Sequence, residues 1–511
     1  MSELLAAAVP FVVLFLGVFI TRSLAPAIIG GVVAALFTSL YFWQMSFLGL
    51  LLAAGRTLGK TLDLAILILG ALLFLEIMKT TKHLASLELL LGHLTTDPRV
   101  HIVLLAGPFA MLMEGIAGFG TPIIFLAPLL YHLGIPAYSA IILSLLGTAI
   151  AAPFGAIGSP LLIGLASSSV STLPAFAQTT LLVALISSLF VLLGPLLLSA
   201  TATRIGPTKS WKKGLEIAPF SLLLGVSMTC MWIATAVLFG PAYPAITTGI
   251  VGIIVGCSIA KQGWGLPHKD KIPAKRPTTH LNILLAGFGG VLLLLLIQRI
   301  PSIAALLTGW SWDIANAVSL GYVATPFLLS PGWALAIAAG ILAWHQKLSL
   351  KSLRFAEHHV FKNSVTLLPL LAGMLFFVEL LLASSINPRG FTSIPTTFGG
   401  IFIGFAQPMI ALLLPFIGGL FAAAVGNATL ANLVTVPIVA QLTTLHPVLS
   451  NTLITMGAAW GSILAFPVII LASSLVGVHH HEGLLLRKTA AIVLPVLCVI
   501  GLLGVLLLFV W

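Results

Sequence analysis

Charge is what this sequence has least of: Asp, Glu, Lys and Arg make up 7% of its 511 residues, against 59% hydrophobic residues. Soluble chains carry about a quarter charged residues. A chain this poor in them could not cover itself with polar surface, which excludes a water-soluble globular protein. Cysteine is scarce too. Cys230, Cys257 and Cys498 stand singly in apolar segments, which excludes a disulfide framework and a paired-thiol metal site. Only 12 acidic residues occur, none of them clustered within an apolar stretch, so an intramembrane transferase would lack its metal ligands. No G-x-x-x-x-G-K-[ST] sequence is present, so the chain has no phosphate cradle of its own for ATP. The apolar runs also lack the polar alternation of outer-membrane barrel strands. No enzyme activity, metal or cofactor is expected.

What the sequence has instead is apolar stretches of bilayer length from one end to the other. Full spans are expected at 4–20, 24–43, 61–77, 179–199, 219–238, 246–260, 281–300, 317–344, 365–382 and 489–510. With the interrupted segments described below, they make roughly 12 to 14 membrane-entering segments. The fold class expected is an all-α polytopic membrane protein, a single transmembrane domain over 1–511. Glu3 stands where a signal peptide would carry basic residues, so 4–20 is expected to be an uncleaved first span.

The net charge of +11 sits in short loops, which fits the positive-inside rule better than nucleic-acid binding. Arg204, Lys209, Lys212 and Lys213 form one cluster, the loop 261–280 a second, and Lys347, Lys351, Arg354 and Lys362 a third. Even numbers of expected spans separate them, which puts all three on the cytoplasmic side of the cell inner (plasma) membrane.

Two regions, 100–172 and 396–477, are apolar yet repeatedly broken by Gly and Pro. The first holds EGIAGFGTP at 114–122 and GAIGSP at 155–160; the second holds GNATLAN at 426–432 and GAAWGS at 457–462. Paired interruptions of this kind in two halves of a chain point to a transporter site. Unwound backbone at membrane depth survives only where protein or a wet cavity surrounds it. Broken helices there offer N–H groups and a positive dipole end to an anion. Packing of small residues between helices is the plainer alternative for any one of these motifs.

At these residues the chain resembles the lactate permease family. EGIAGFGTPIIFLAPLL at 114–130 and FGAIGSPLLIG at 154–164 carry the resemblance; GNATLANLV at 426–434 and NTLITMGAAWGSILAFP at 451–467 follow in the same order. The resemblance implies a secondary carrier moving L-lactate, D-lactate or glycolate with protons. It also implies two inverted repeats with broken helices or re-entrant hairpins, at about 1–200 and 281–511. The chain departs from the family at Ala428, where an Asp is usual, and beside Ser462, where a Lys is frequent. A buried charge is costly without its partner, so an acid and a base lost together leave a neutral pair.

The expected site follows from the breaks and from intramembrane carboxyls. Gly118, Gly120, Thr121, Gly158 and Ser159 in the first half, and Gly426, Asn427, Thr429, Asn432 and Ser462 in the second, are the expected ligand contacts. No intramembrane Lys or Arg is placed to pair with a carboxylate, so backbone dipoles and hydroxyls are expected to hold it. Glu114 and Glu379 lie within apolar segments, where a carboxylate is disfavoured by roughly 2.5–3.5 kcal/mol, and are the candidate proton carriers. His132 reads as a structural histidine, Asp63 as a loop-edge partner of Arg56 and Lys60, Asp313 as a solvated interfacial acid, and His479–481 as a loop without ligand spacing. The expected partners are a small organic anion with protons and the lipid bilayer, with homo-oligomerisation left open. The expected function is proton-coupled symport of a small monocarboxylate such as lactate or glycolate; the alternative is a carrier of the same architecture for another organic anion, such as a dicarboxylate, with proton or sodium as the coupling ion.

Overall fold

The structure is a computed structural model. It describes residues 2–21, 24–81, 95–116, 118, 120–162, 164–165, 173–206, 208–267, 290–291, 293–294, 297–298, 300–308, 328, 330–402, 404–439, 445–478 and 482–509. Most of the expected span 281–300, the first part of 317–344, the basic segment 269–276, Asp313 and His479–481 lie outside the described residues.

Among the described residues there is no strand, and nine helices are long and apolar enough to cross a bilayer. Five shorter apolar helices accompany them, Pro122–His132 and Gly332–His345 included. The chain is an all-α polytopic membrane protein, as its composition requires.

The helices gather into two compact units. One comprises residues 1–83, 282–403 and 437–442; the other comprises 84–281, 404–436 and 443–511. In the first unit Phe47–Thr80 packs along Leu350–Ala383 and against Pro331–His345. The first two of these helices have 34 residues each, about 50 Å at 1.5 Å per residue. That exceeds a hydrocarbon core of about 30 Å, so their ends are free to carry charge, as Lys351, Arg354 and Glu357 do.

The second unit is built around its two most buried apolar segments. The window in Ala137–Leu162 is 94% buried and that in Pro98–Ile116 89%, whereas Glu482–Leu507 is only 28% buried and presents most of its surface outward. Gly249, Gly252 and Gly256 of Pro244–Gln262 lie against Leu112, Pro108 and Leu104 of helix 98–116. Such small residues let two backbones meet where lipid gives no hydrophobic drive to association. Gly457 and Gly461 do the same against the Pro415 and Gly419 carbonyls of Gln407–Val425. Pro108 sits in a π-helical turn, Leu105–Phe109, which absorbs the missing N–H without ending the helix.

A series of element lengths recurs along the chain. Phe47–Thr80, Pro98–Ile116, Thr121–His132, Ala137–Ala151 and Ala152–Phe154 have 34, 19, 12, 15 and 3 residues. Leu350–Ala383, Gln407–Val425, Ala428–Val439, Pro447–Gly461 and Ser462–Leu464 have the same lengths in the same order. The 19-residue helix precedes a left-handed glycine each time, Gly118 and Gly120 in the first series and Gly426 in the second.

Candidate functional site

All four breaks belong to the second unit, two from each broken region. Helix 98–116 ends in the sequence Glu-Gly-Ile, and Gly120, at φ +78°, precedes Thr121–His132. Only glycine takes such a φ without steric cost. In the next break Ala156, Ile157 and Gly158 have φ of +44°, +55° and +73°. Left-handed backbone costs roughly 1–2 kcal/mol per residue for side chains other than glycine, and such strain concentrates at functional sites. In the second region Gly426, at φ +89°, caps Gln407–Val425. Asn427 then starts Ala428–Val439: its Oδ1 accepts from the N–H of Thr429 at 2.7 Å and of Leu430 at 3.3 Å, an N-cap that satisfies two otherwise orphaned donors. The fourth break is a 3-10 turn, Ser462–Leu464, followed by an extended Ala465.

The breaks line one small cavity. Glu114, Gly120 and Ser159 line it from the first region, and Gly426, Asn427, Thr429 and Ser462 from the second. Its volume is about 20 Å³, room for one water molecule. An organic anion therefore enters only if the lining parts.

Glu114 is buried. The Gly120 N–H donates to its carboxyl group, and its Oε2 has no hydrogen-bond partner among the described residues. Its Oε1 lies so close to Gly155 that a Cβ at that position would sit 2.7 Å away. Across the cavity the Ser159 and Thr429 hydroxyls are 2.8 Å apart, joining the two broken regions directly. Ser462 donates back to Ala459 O at 2.7 Å and Thr148 to Ser144 O at 2.9 Å, so those two hydroxyl protons are committed to their own helices. The donors left to face a ligand are the Asn427 amide and one proton of the Ser159–Thr429 pair. Among the described lining residues none is Lys or Arg.

The remaining sequence-derived candidates stand elsewhere. Gly118 meets Ala156, and Gly158 meets the Pro241 carbonyl and Ala242, so both serve close backbone contact rather than the cavity wall. Thr121 opens its helix next to Gly120. Asn432 is a structural node: its Nδ2 donates to Pro160 O at 2.9 Å and to Thr455 Oγ1 at 3.1 Å. Glu379 is buried in the first unit and does not line this cavity. Sequence reasoning missed Thr148, Ala156, Ile463 and Val468, which do line it. Ala156 and Ile463 lie inside or beside the quoted motifs; nothing in the sequence distinguishes Thr148 from other helical threonines.

The Ser159–Thr429 bond has a measurable consequence. A double-mutant cycle of Ser159→Ala and Thr429→Val is expected to give a coupling of about 1 kcal/mol in thermal or denaturant unfolding. A coupling near zero would mean that the hydroxyl pair adds nothing to what packing and the Asn432–Pro160 bond already hold between the two broken regions.

A family profile described as L-lactate permease matches residues 3–511. "Putative L-lactate permease" of Haemophilus influenzae is 23% identical over 458 residues, which cover 83% of this chain and 82% of that protein. Glycolate permease GlcA of Escherichia coli is 32% identical over 162 residues, 32% of this chain and 27% of that protein. L-lactate permease of Bacillus subtilis is 32% identical over 161 residues, 31% of this chain and 27% of that protein.

Proposed function

The chain belongs to the L-lactate permease family, whose members are transporters rather than enzymes, and from that premise we propose that it is a proton-coupled symporter of a small monocarboxylate such as lactate or glycolate in the plasma membrane. The observation that carries this reading is the cavity itself: four helix breaks from two distant regions enclose one carboxyl group, with no Lys or Arg among the described lining residues.

The coupling follows from charge. An ionised Glu114 and an anionic substrate repel each other strongly in a dry cavity. A proton on Glu114 removes the repulsion and turns the carboxyl into a donor, so substrate and proton enter together. The substrate carboxylate is held by the Asn427 amide and the free proton of the Ser159–Thr429 pair. A dicarboxylate would bring a second negative charge against the same cation-free lining, so a monocarboxylate fits better. Glu379 is the second candidate for carrying the proton. The recurring helix lengths support reading the chain as two repeats, at about 1–200 and 281–511, each contributing one broken region.

Uptake of labelled L-lactate and glycolate into proteoliposomes under an inward proton gradient tests the proposal. Accumulation is expected, and a protonophore should collapse it. In tight vesicles, absence of uptake of both anions would remove the substrate assignment. Accumulation driven by sodium and indifferent to the protonophore would replace the coupling ion.

A further inference from the structure

The first unit holds a much larger cavity, about 630 Å³, between helices 47–80, 331–345 and 350–383. Its size falls in the range of about 300–1,000 Å³ typical of ligand sites. Ile66, Leu69, Leu73 and Ala336 give it apolar walls, and Phe361, 67% exposed, flanks it. Gly70 and Gly332 also line it, where the backbones of helices 47–80 and 331–345 touch. The wall from helix 350–383 brings in Arg354, Glu357 and His358. These three positions, i, i+3 and i+4, share one helical face with neighbours about 5–6 Å apart. Arg354 and Glu357 form no ion pair with each other or with any other described residue.

We propose that this groove binds a phospholipid with a primary-ammonium headgroup, phosphatidylethanolamine chemistry. An acyl chain fits the apolar walls, and the charged row fits the headgroup. Arg354, with His358 one turn from it, takes the phosphate, which a guanidinium binds through paired N–H donors. Glu357 takes the ammonium, which offers three N–H donors. Charge of both signs at this wall distinguishes a zwitterionic headgroup from an anionic one. The donors Glu357 requires distinguish ethanolamine from choline, whose quaternary nitrogen has none. Basic residues between membrane helices are a recurrent place for lipid headgroups, and the acid within this row sets the headgroup class.

Native mass spectrometry of the delipidated full chain, incubated with equal amounts of phosphatidylethanolamine, phosphatidylcholine and phosphatidylglycerol of the same acyl composition, reads the proposal directly. The ethanolamine lipid is expected to be retained several-fold above the choline lipid. Glu357→Gln should bring that ratio to one. Arg354→Gln should lower retention of all three lipids roughly fivefold, as expected for loss of one basic contact. Ala336→Phe, which fills the groove from helix 331–345 and leaves the charged row of helix 350–383 in place, should lower retention of all three lipids. Equal retention of the ethanolamine and choline lipids by the natural chain would overturn the proposal. So would a lead for phosphatidylglycerol, a ratio untouched by Glu357→Gln, or a lipid-free dimer in place of lipid-bound chains. Competition by glycerophosphoethanolamine as effective as that of the intact lipid would show a headgroup site without an acyl groove, and would overturn it too.

Discussion

Replacing Glu114 by Gln is expected to abolish proton-driven accumulation while leaving substrate exchange intact. Gln has the shape and neutrality of the protonated acid, so the anion still finds the cavity without a facing charge. The carrier then has no group at this site that releases and regains a proton, and the loaded form moves without coupling. A gradient of one pH unit is worth 1.36 kcal/mol, which a one-to-one symporter converts into about tenfold accumulation. For Glu114→Gln the ratio of internal to external lactate is expected to fall to about one. Lactate–lactate counterflow in the same vesicles should persist. Glu114→Ala should lose both, because it also removes the acceptor that the Gly120 N–H uses and leaves the break less well ordered. If Glu114→Gln accumulates lactate as the natural chain does, the proton travels elsewhere, and Glu379 is the next residue to neutralise.

The four breaks are legible in the sequence because glycine and proline act locally. Gly120 and Gly426 adopt left-handed backbone that a side chain would oppose, and the motifs at 114–122 and 426–432 announce this without reference to any neighbour. The left-handed run at Ala156 and Ile157 is not legible, because local preference argues against it. Only the surrounding fold holds those residues there, with Gly118 making room for the Ala156 side chain. Glu114 and Glu379 look alike in sequence, each a single acid in an apolar helix. They end in different units, and helix packing makes that decision through contacts far apart in the chain. The bond between Ser159 and Thr429 spans 270 positions, so no local pattern could disclose it. The element lengths that recur in the two halves depend on helix ends, which caps such as Asn427 set and hydropathy does not.

Two glycines of one motif are expected to fail in opposite ways when changed to alanine. Gly158 has φ +73°, and an added Cβ would run into the Pro241 carbonyl. Left-handed backbone costs about 1–2 kcal/mol and overpacking about 1–3 kcal/mol, so Gly158→Ala should destabilise the protein by about 2–5 kcal/mol. A drop of several degrees in the unfolding temperature of the purified protein would register it. Gly155, three residues earlier, has φ −66° and ψ 164°, which alanine adopts freely. Its added Cβ would lie 2.7 Å from Glu114 Oε1, inside van der Waals contact, and the buried carboxyl has to move. Gly155→Ala should therefore keep most of its thermal stability yet lose most proton-driven accumulation, approaching Glu114→Gln. The shorter acid in Glu114→Asp withdraws the carboxyl from the added methyl, so the Gly155→Ala, Glu114→Asp pair should regain part of the coupling lost by Gly155→Ala alone. Transport by Gly155→Ala at the natural level would show that the carboxyl position against Gly155 has no part in coupling. Loss of stability in Gly155→Ala as large as in Gly158→Ala would show that the whole 155–158 turn is held by packing, with the carboxyl only a bystander.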